Sequence, residues 1–165
     1  MAKYASAEGN RLPSPGIGNL LKALAELDAE VICVAPGLKR LNRAIANRLR
    51  VYVNPVRLDD IISSADLVVS YAGSGMVCCA LLAGVPLLLV PQNVEQYMFS
   101  CRVDALGAGV VMGTNRSEAD FRISLQQLLD EERFRVAAKA FASRHSGFHP
   151  DQAVSYAVRV IETVI

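Results

Sequence analysis

Short runs rich in valine, isoleucine and leucine alternate along this chain with longer amphipathic stretches, and that alternation restricts the fold more than any other feature. The runs AKYAS, EVICVA, RVYVN, DLVVSY, PLLLVP and AGVVMG have the length and composition of strands, most of them buried on both faces. Between them lie GIGNLLKALAEL, LKRLNRAIANRL, LDDIISSA, SGMVCCALLA and VEQYMFSCRVDALG, which read as helices. Strand, helix, strand is the unit of a parallel sheet, because parallel neighbours need a long crossover. The reading is therefore an α/β fold, a Rossmann-like doubly wound parallel sheet of about six strands with helices on both faces. After Gly113 the pattern becomes wholly helical, with SEADFRISLQQLLD, EERFRVAAKAFASRH and DQAVSYAVRVIETVI, and Ser117 with Asp120 has the spacing of an N-terminal cap.

At 165 residues, 52% hydrophobic and 20% charged, the chain has the material for one substantial core and not for two ordinary domains, so residues 1–165 are read as one unit. A net charge of +1 gives no overall field for nucleic acid or an anionic membrane, and the basic stretch from Lys39 to Arg50 reads as a solvated helix face. The longest apolar stretch, ALLAGVPLLLVP, is interrupted by Gly84 and Pro86 and is too short to span a bilayer. The first ten residues lack a leader's apolar core, and a cytoplasmic location is expected. Cys33, Cys78, Cys79 and Cys101 lack the spacing of a metal or disulfide framework and read as buried free thiols. His145 and His149 read as a helix end rather than a metal site, and neither a metal nor a cofactor is expected. Gly16-Ile17-Gly18 lacks the third glycine of a dinucleotide fingerprint and follows a loop rather than a strand.

Within the fourth strand-to-helix junction stands YAGSGM, Tyr71 to Met76. In a doubly wound sheet the carboxyl ends of the strands carry the binding crevice, and the helix that follows turns its free N–H groups and positive dipole end toward that crevice. Glycines at 73 and 75 allow close approach of a phosphate to the backbone. The same letters also describe a tight turn with glycines needed for packing. The loop EGNRLPSPGIGN, after the first strand, occupies an equivalent ligand-facing place.

From Ala65 to Gly109 the run ADLVVSYAGSGMVCCALLAGVPLLLVPQNVEQYMFSCRVDALGAG resembles the C-terminal, donor-binding half of GT-B fold glycosyltransferases, the group that includes UDP-glucuronosyltransferases and bacterial macrolide glycosyltransferases. That family reads A-D-x-V-V-x-H-G-G-x-G-T, then E-A-L-x-x-G-V-P, then P-x-x-x-D-Q-x-x-N-A-x-R-V-x-x-L-G-A-G. Here ALLAGVP, Pro91, Glu95-Gln96, Arg102-Val103 and LGAG fall in register. The resemblance implies a nucleotide-sugar site: the donor's pyrophosphate on the loop at Tyr71, Gly73, Ser74, Gly75 and Met76, and sugar hydroxyls on Glu95 and Gln96. Glu95 and Gln96 also have the spacing of a capping pair on their own helix. For a base-stacking aromatic the sequence offers Tyr52, since it contains no tryptophan.

The sequence departs from the family at five places. The phosphate-contacting histidine is Tyr71, the first glycine is Ala72, the threonine near phosphate is Met76, the ribose-holding glutamate is Cys79, and the asparagine is Phe99. Each lost hydrogen bond to a charged group weakens binding by about 1.5–3 kcal/mol. The Tyr71 hydroxyl either reaches phosphate or packs beneath the loop.

The resemblance implies the nucleotide-sugar-binding half of an enzyme that moves a hexose from a UDP- or dTDP-sugar to an acceptor. The acceptor site and general base of such enzymes lie in an N-terminal domain, in the same polypeptide or a separate subunit. No catalytic residue is assigned to this chain, and alone it is expected to be inactive. Two other functions fit the same fold: a non-catalytic binding or partner-stabilising module with a degenerate donor site, and a sugar-nucleotide epimerase domain.

Overall fold

The computed structural model describes residues 15–34, 47–57 and 59–164. The expected strand AKYAS, the first part of the loop EGNRLPSPGIGN and most of the helix LKRLNRAIANRL lie outside the described residues. The other expected elements are present in the expected order. They run α1 (Pro15–Glu26), β1 (Ile32–Val34), β2 (Arg50–Tyr52), α2 (Asp59–Ile62), β3 (Val68–Ser70), α3 (Ser74–Leu82), β4 (Leu87–Leu89), α4 (Val94–Ala105), β5 (Gly109–Val111), α5 (Glu118–Asp130), α6 (Glu132–Arg144) and α7 (Pro150–Val164).

Every described strand pair is parallel. The strands form two ladders, β1–β2 and β3–β4–β5, and in the second Val69, Leu88 and Val110 stand side by side. Because successive side chains of a strand point to opposite faces, the two faces can be read residue by residue. Val69 and Leu88 join Leu20, Leu21 and Leu24 of α1 and Phe121, Leu125 and Leu128 of α5 in one core. Val68, Leu87 and Leu89 join Val77, Ala80 and Leu81 of α3, Val103 of α4 and Ala138 of α6 in the other. Helices on both faces of a parallel sheet make this the doubly wound α/β architecture, with five strands among the described residues. The first core also includes Cys33 of β1, so both ladders share it.

Two sequence motifs prove to be helix stops. After α3, Gly84 takes a φ of 71°, its N–H bonds the carbonyl of Leu81 and the next N–H, Val85, bonds that of Ala80. After α4, Gly107 takes a φ of 70° and the same pair of bonds runs from Gly107 to Asp104 and from Ala108 to Val103. Both are Schellman motifs, which satisfy the last carbonyls of a helix and need a residue that enters the left-handed region without strain. ALLAGVP and LGAG therefore return the chain into β4 and β5 at fixed positions. In LGAG the second glycine has a different duty: a Cβ on Gly109 would lie 2.6 Å from the carbonyl oxygen of Leu87 on the neighbouring strand.

The N-terminal cap expected at Ser117 is a full capping box. Its Oγ accepts the N–H of Asp120 at 3.2 Å, and Oδ2 of Asp120 accepts the N–H of Ser117 at 3.0 Å. Of the four cysteines expected to be buried, only Cys33 is. Cys78 and Cys101 are exposed because α3 buries Val77, Ala80 and Leu81, and α4 buries Ser100 and Val103, which turns both thiols outward. No group of three histidine, cysteine or acidic side chains placed to hold a metal occurs among the described residues. No helix among them is long and apolar enough to cross a membrane.

Candidate functional site

At the carboxyl end of β3 the backbone turns sharply into α3. The turn depends on Ala72, a buried residue with a φ of 69°, whose N–H donates to Oγ of Ser70 at 3.2 Å. A non-glycine residue in the left-handed region costs about 1–2 kcal/mol, so something must hold it there. The bond to Ser70 and the burial of the Ala72 methyl do so. Gly73 then serves as the N-cap of α3 with an ordinary φ of −59° and no side chain to offer. The first intrahelical bond runs from the N–H of Val77 to the carbonyl of Gly73, which leaves the N–H groups of Ser74, Gly75 and Met76 without a helical or capping partner.

These N–H groups border a crevice of about 570 Å³. Its floor and one side are Ser70, Tyr71, Gly73, Ser74, Gly75 and Met76; Gln96 of α4 adds an amide; and the facing wall is Val34, at the end of β1, with Pro55 and Val56, just beyond β2. The crevice therefore lies at the carboxyl rim of both ladders, where a doubly wound sheet holds its ligands. No lysine, arginine, histidine, aspartate or glutamate lines it among the described residues. Its polarity comes from backbone donors, hydroxyls and one amide, and α3 contributes the positive end of its dipole.

The two glycines of the loop are not there for packing. Among the described residues, a Cβ built on Gly73 or Gly75 meets no atom within 4 Å, and neither residue has a positive φ. The strained position of the turn is filled by an alanine instead. Gly16 of α1 gives the contrast: a Cβ there would fall 1.5 Å from the carbonyl oxygen of Thr114, so the packing of α1 on that turn requires a glycine. The space above Gly73 and Gly75 is open among the described residues.

Of the sequence-derived site residues, Tyr71, Gly73, Ser74, Gly75, Met76 and Gln96 come together on this crevice. Glu95 stands exposed in the first turn of α4, outside the lining. Gln96 has a structural duty as well: its Oε1 accepts the N–H of Gln92 at 2.7 Å, and its own N–H donates to Oδ1 of the N-cap Asn93 at 2.9 Å. With its oxygen so engaged, the carboxamide has its N–H donors to offer a ligand. Met76 is half-buried and also packs against the core beneath α3; Phe99, at the family's asparagine position, does the same. Cys79 is half-buried and does not line the crevice.

Sequence reading missed the facing wall. Tyr52 is 42% exposed and stands outside the crevice, whereas Pro55 and Val56, a few residues further on, form its side. The available signal was positional, because both follow a strand directly on the ligand-bearing rim. Ser70 was missed as well, though it ends the strand that carries the loop.

A second hollow, of about 620 Å³, lies at the carboxyl ends of β4 and β5, between Pro91–Val94, Gly113–Arg116 and one side of α4. Tyr97 lies on it, and its hydrogen bond with the Cys101 side chain, followed by the electrostatic interaction between the two, raises the phenol above its ordinary pKa.

Solved structures share this architecture. The spinosyn rhamnosyltransferase SpnG superposes with a TM-score of 0.80 at 22% identity, covering 98% of this chain and 44% of its own. The glycosyltransferase VinC, solved in complex with dTDP, superposes at 0.72 and 23% identity, covering 89% of this chain and 38% of its own. The fold is that of the C-terminal domain of GT-B glycosyltransferases. The chain belongs to the erythromycin biosynthesis protein CIII-like family, matching its C-terminal domain over residues 18–156. Two curated relatives agree: aclacinomycin-T 2-deoxy-L-fucose transferase of Streptomyces galilaeus is 32% identical over 121 residues, and TDP-daunosamine transferase DnrS of Streptomyces peucetius is 32% identical over 128. These matches take in 72% and 75% of this chain but only 27% and 30% of the relatives.

Proposed function

We propose that the crevice at Tyr71–Met76 is the donor site of a glycosyltransferase that moves a hexose from a UDP- or dTDP-sugar to an acceptor. The observation that carries this reading is the open space above Gly73 and Gly75, two glycines that neither backbone geometry nor packing among the described residues requires. The diphosphate sits on the N–H groups of Ser74, Gly75 and Met76, and the base lies against Val34, Pro55 and Val56. The sugar extends toward the amide of Gln96, with Glu95 at the edge. As the bond from sugar to phosphate breaks, negative charge grows on the leaving diphosphate, and the oriented N–H groups and the dipole of α3 stabilise it without reorganising.

The acceptor hydroxyl needs a general base, and none of the described residues lining the crevice supplies one. That base, with the acceptor pocket, belongs to a second domain, in keeping with the greater length of the relatives. The exposed face of α7 supports the same reading. Every residue of α7 from Asp151 to Val164 is exposed, and Ala153, Ala157, Val160, Ile161 and Val164 form one apolar stripe. An apolar helix face left in water is a docking surface for further protein, here the acceptor domain. A cytoplasmic location, where the donor nucleotide is supplied, belongs to the same proposal.

The uncharged lining favours one competing reading, a non-catalytic module whose donor site has decayed. Isothermal titration of the chain with dTDP and UDP decides between them. Micromolar binding of either sinks the decayed-site reading, and no heat with either sinks the donor-site reading.

A further inference from the structure

Ser70 ends β3 directly beneath the glycine loop. Alternation along the strand turns its side chain to the face of Val68, the face that α3 covers. The residue is only 2% exposed, yet it lines the crevice. Its Oγ accepts the N–H of Ala72, which engages one lone pair. The hydroxyl hydrogen has no protein acceptor among the described residues. A hydroxyl withdrawn from water with its donor unspent is costly, and native structures resolve that cost with a partner.

The crevice tells what that partner is. Its walls present donors, the N–H groups of Ser74, Gly75 and Met76, and no cation among the described residues. An oxyanion, which only accepts, is what such donors converge on. We propose that Ser70 is a ligand-binding residue, its O–H donating from below to a phosphate oxygen of the bound nucleoside diphosphate while its lone pair holds Ala72 in the left-handed turn. The inference rests on reading the crevice as a nucleoside diphosphate site. It makes one hydroxyl serve two roles, building the loop and closing the anion cradle.

The two roles separate experimentally. Ser70→Ala removes both. Ala72→Gly removes the need for the turn-holding bond, since glycine takes a positive φ without strain. The variants Ala72→Gly and Ser70→Ala/Ala72→Gly are compared by thermal melting without ligand and by titration with dTDP, UDP and the phosphate-free nucleosides thymidine and uridine. The expected result is a double variant that melts with Ala72→Gly, binds the nucleosides equally well, and binds the diphosphates at least about tenfold more weakly. Ser70→Thr, which keeps the hydroxyl, keeps the diphosphate affinity. Equal diphosphate affinity in the two variants overturns the proposal and leaves Ser70 a turn-former. So does an equal loss of nucleoside and diphosphate, which would mean a distorted crevice. If the unaltered chain binds neither diphosphate, the donor-site reading falls first, and this inference with it.

Discussion

Gly75 and Gly109 look alike in the sequence, and the structure gives them opposite consequences. At Gly75, in the first turn of α3, an added methyl meets open space and a glycine is replaced by a better helix former. Gly75→Ala is expected to leave thermal stability unchanged or raise it by up to about 1 kcal/mol, while weakening diphosphate binding because the methyl enters the cradle; melting curves and titration calorimetry read the two effects separately. A loss of stability with unchanged affinity would return this glycine to the fold. At Gly109 the methyl would press on the carbonyl of Leu87, so Gly109→Ala is expected to cost about 2 kcal/mol or more of stability, measured by urea unfolding. The glycine loop was therefore legible as a place, and which glycines pack and which stand open became legible only when the space around each Cβ was known. The facing wall was less legible still. Val34 and Val56 are separated from the loop in sequence and carry no motif, because an apolar wall recognises by shape and leaves no polar signature.

The elements themselves followed from local rules. Each described strand and helix lies where apolar runs and helical spacing placed it, because periodicity and stop signals act over a few residues. Ser117 shows how local such a signal is: both bonds of its box join residues three apart. Ser117→Ala is expected to cost about 1 kcal/mol, seen as a lower melting temperature with the fold otherwise intact. The bonds from the Ser117 backbone and then its side chain hold the Asp120 carboxyl below its ordinary pKa. A carboxyl depressed in the folded state contributes stability above its unfolded value, and that contribution is lost as pH falls through the folded value. Acid titration of Asp120→Asn against the unaltered chain checks the sign: the variant is less stable at neutral pH, and the gap closes in acid below the ordinary carboxylate range.

At the scale of the molecule, the exposed stripe of α7 separates stability from assembly. Ile161→Asp is expected to leave the melting temperature of the chain alone unchanged, because Ile161 is 58% exposed and belongs to neither core cluster. The same substitution should abolish co-purification with an acceptor domain expressed as a separate chain, and retained co-purification would remove α7 from that interface. What the sequence by itself determined is the order of elements, the parallel architecture and the rim on which a ligand would lie. These depend on spacing, and spacing is a property of the chain as a line. Which glycines are packing and which are open, which thiols face water, that Gln96 lines the crevice while Glu95 does not, and that Ser70 lies buried under the loop were decided only by the tertiary structure. Each of them depends on atoms from another strand, another helix or another turn coming within a few ångströms, a distance that sequence order does not encode.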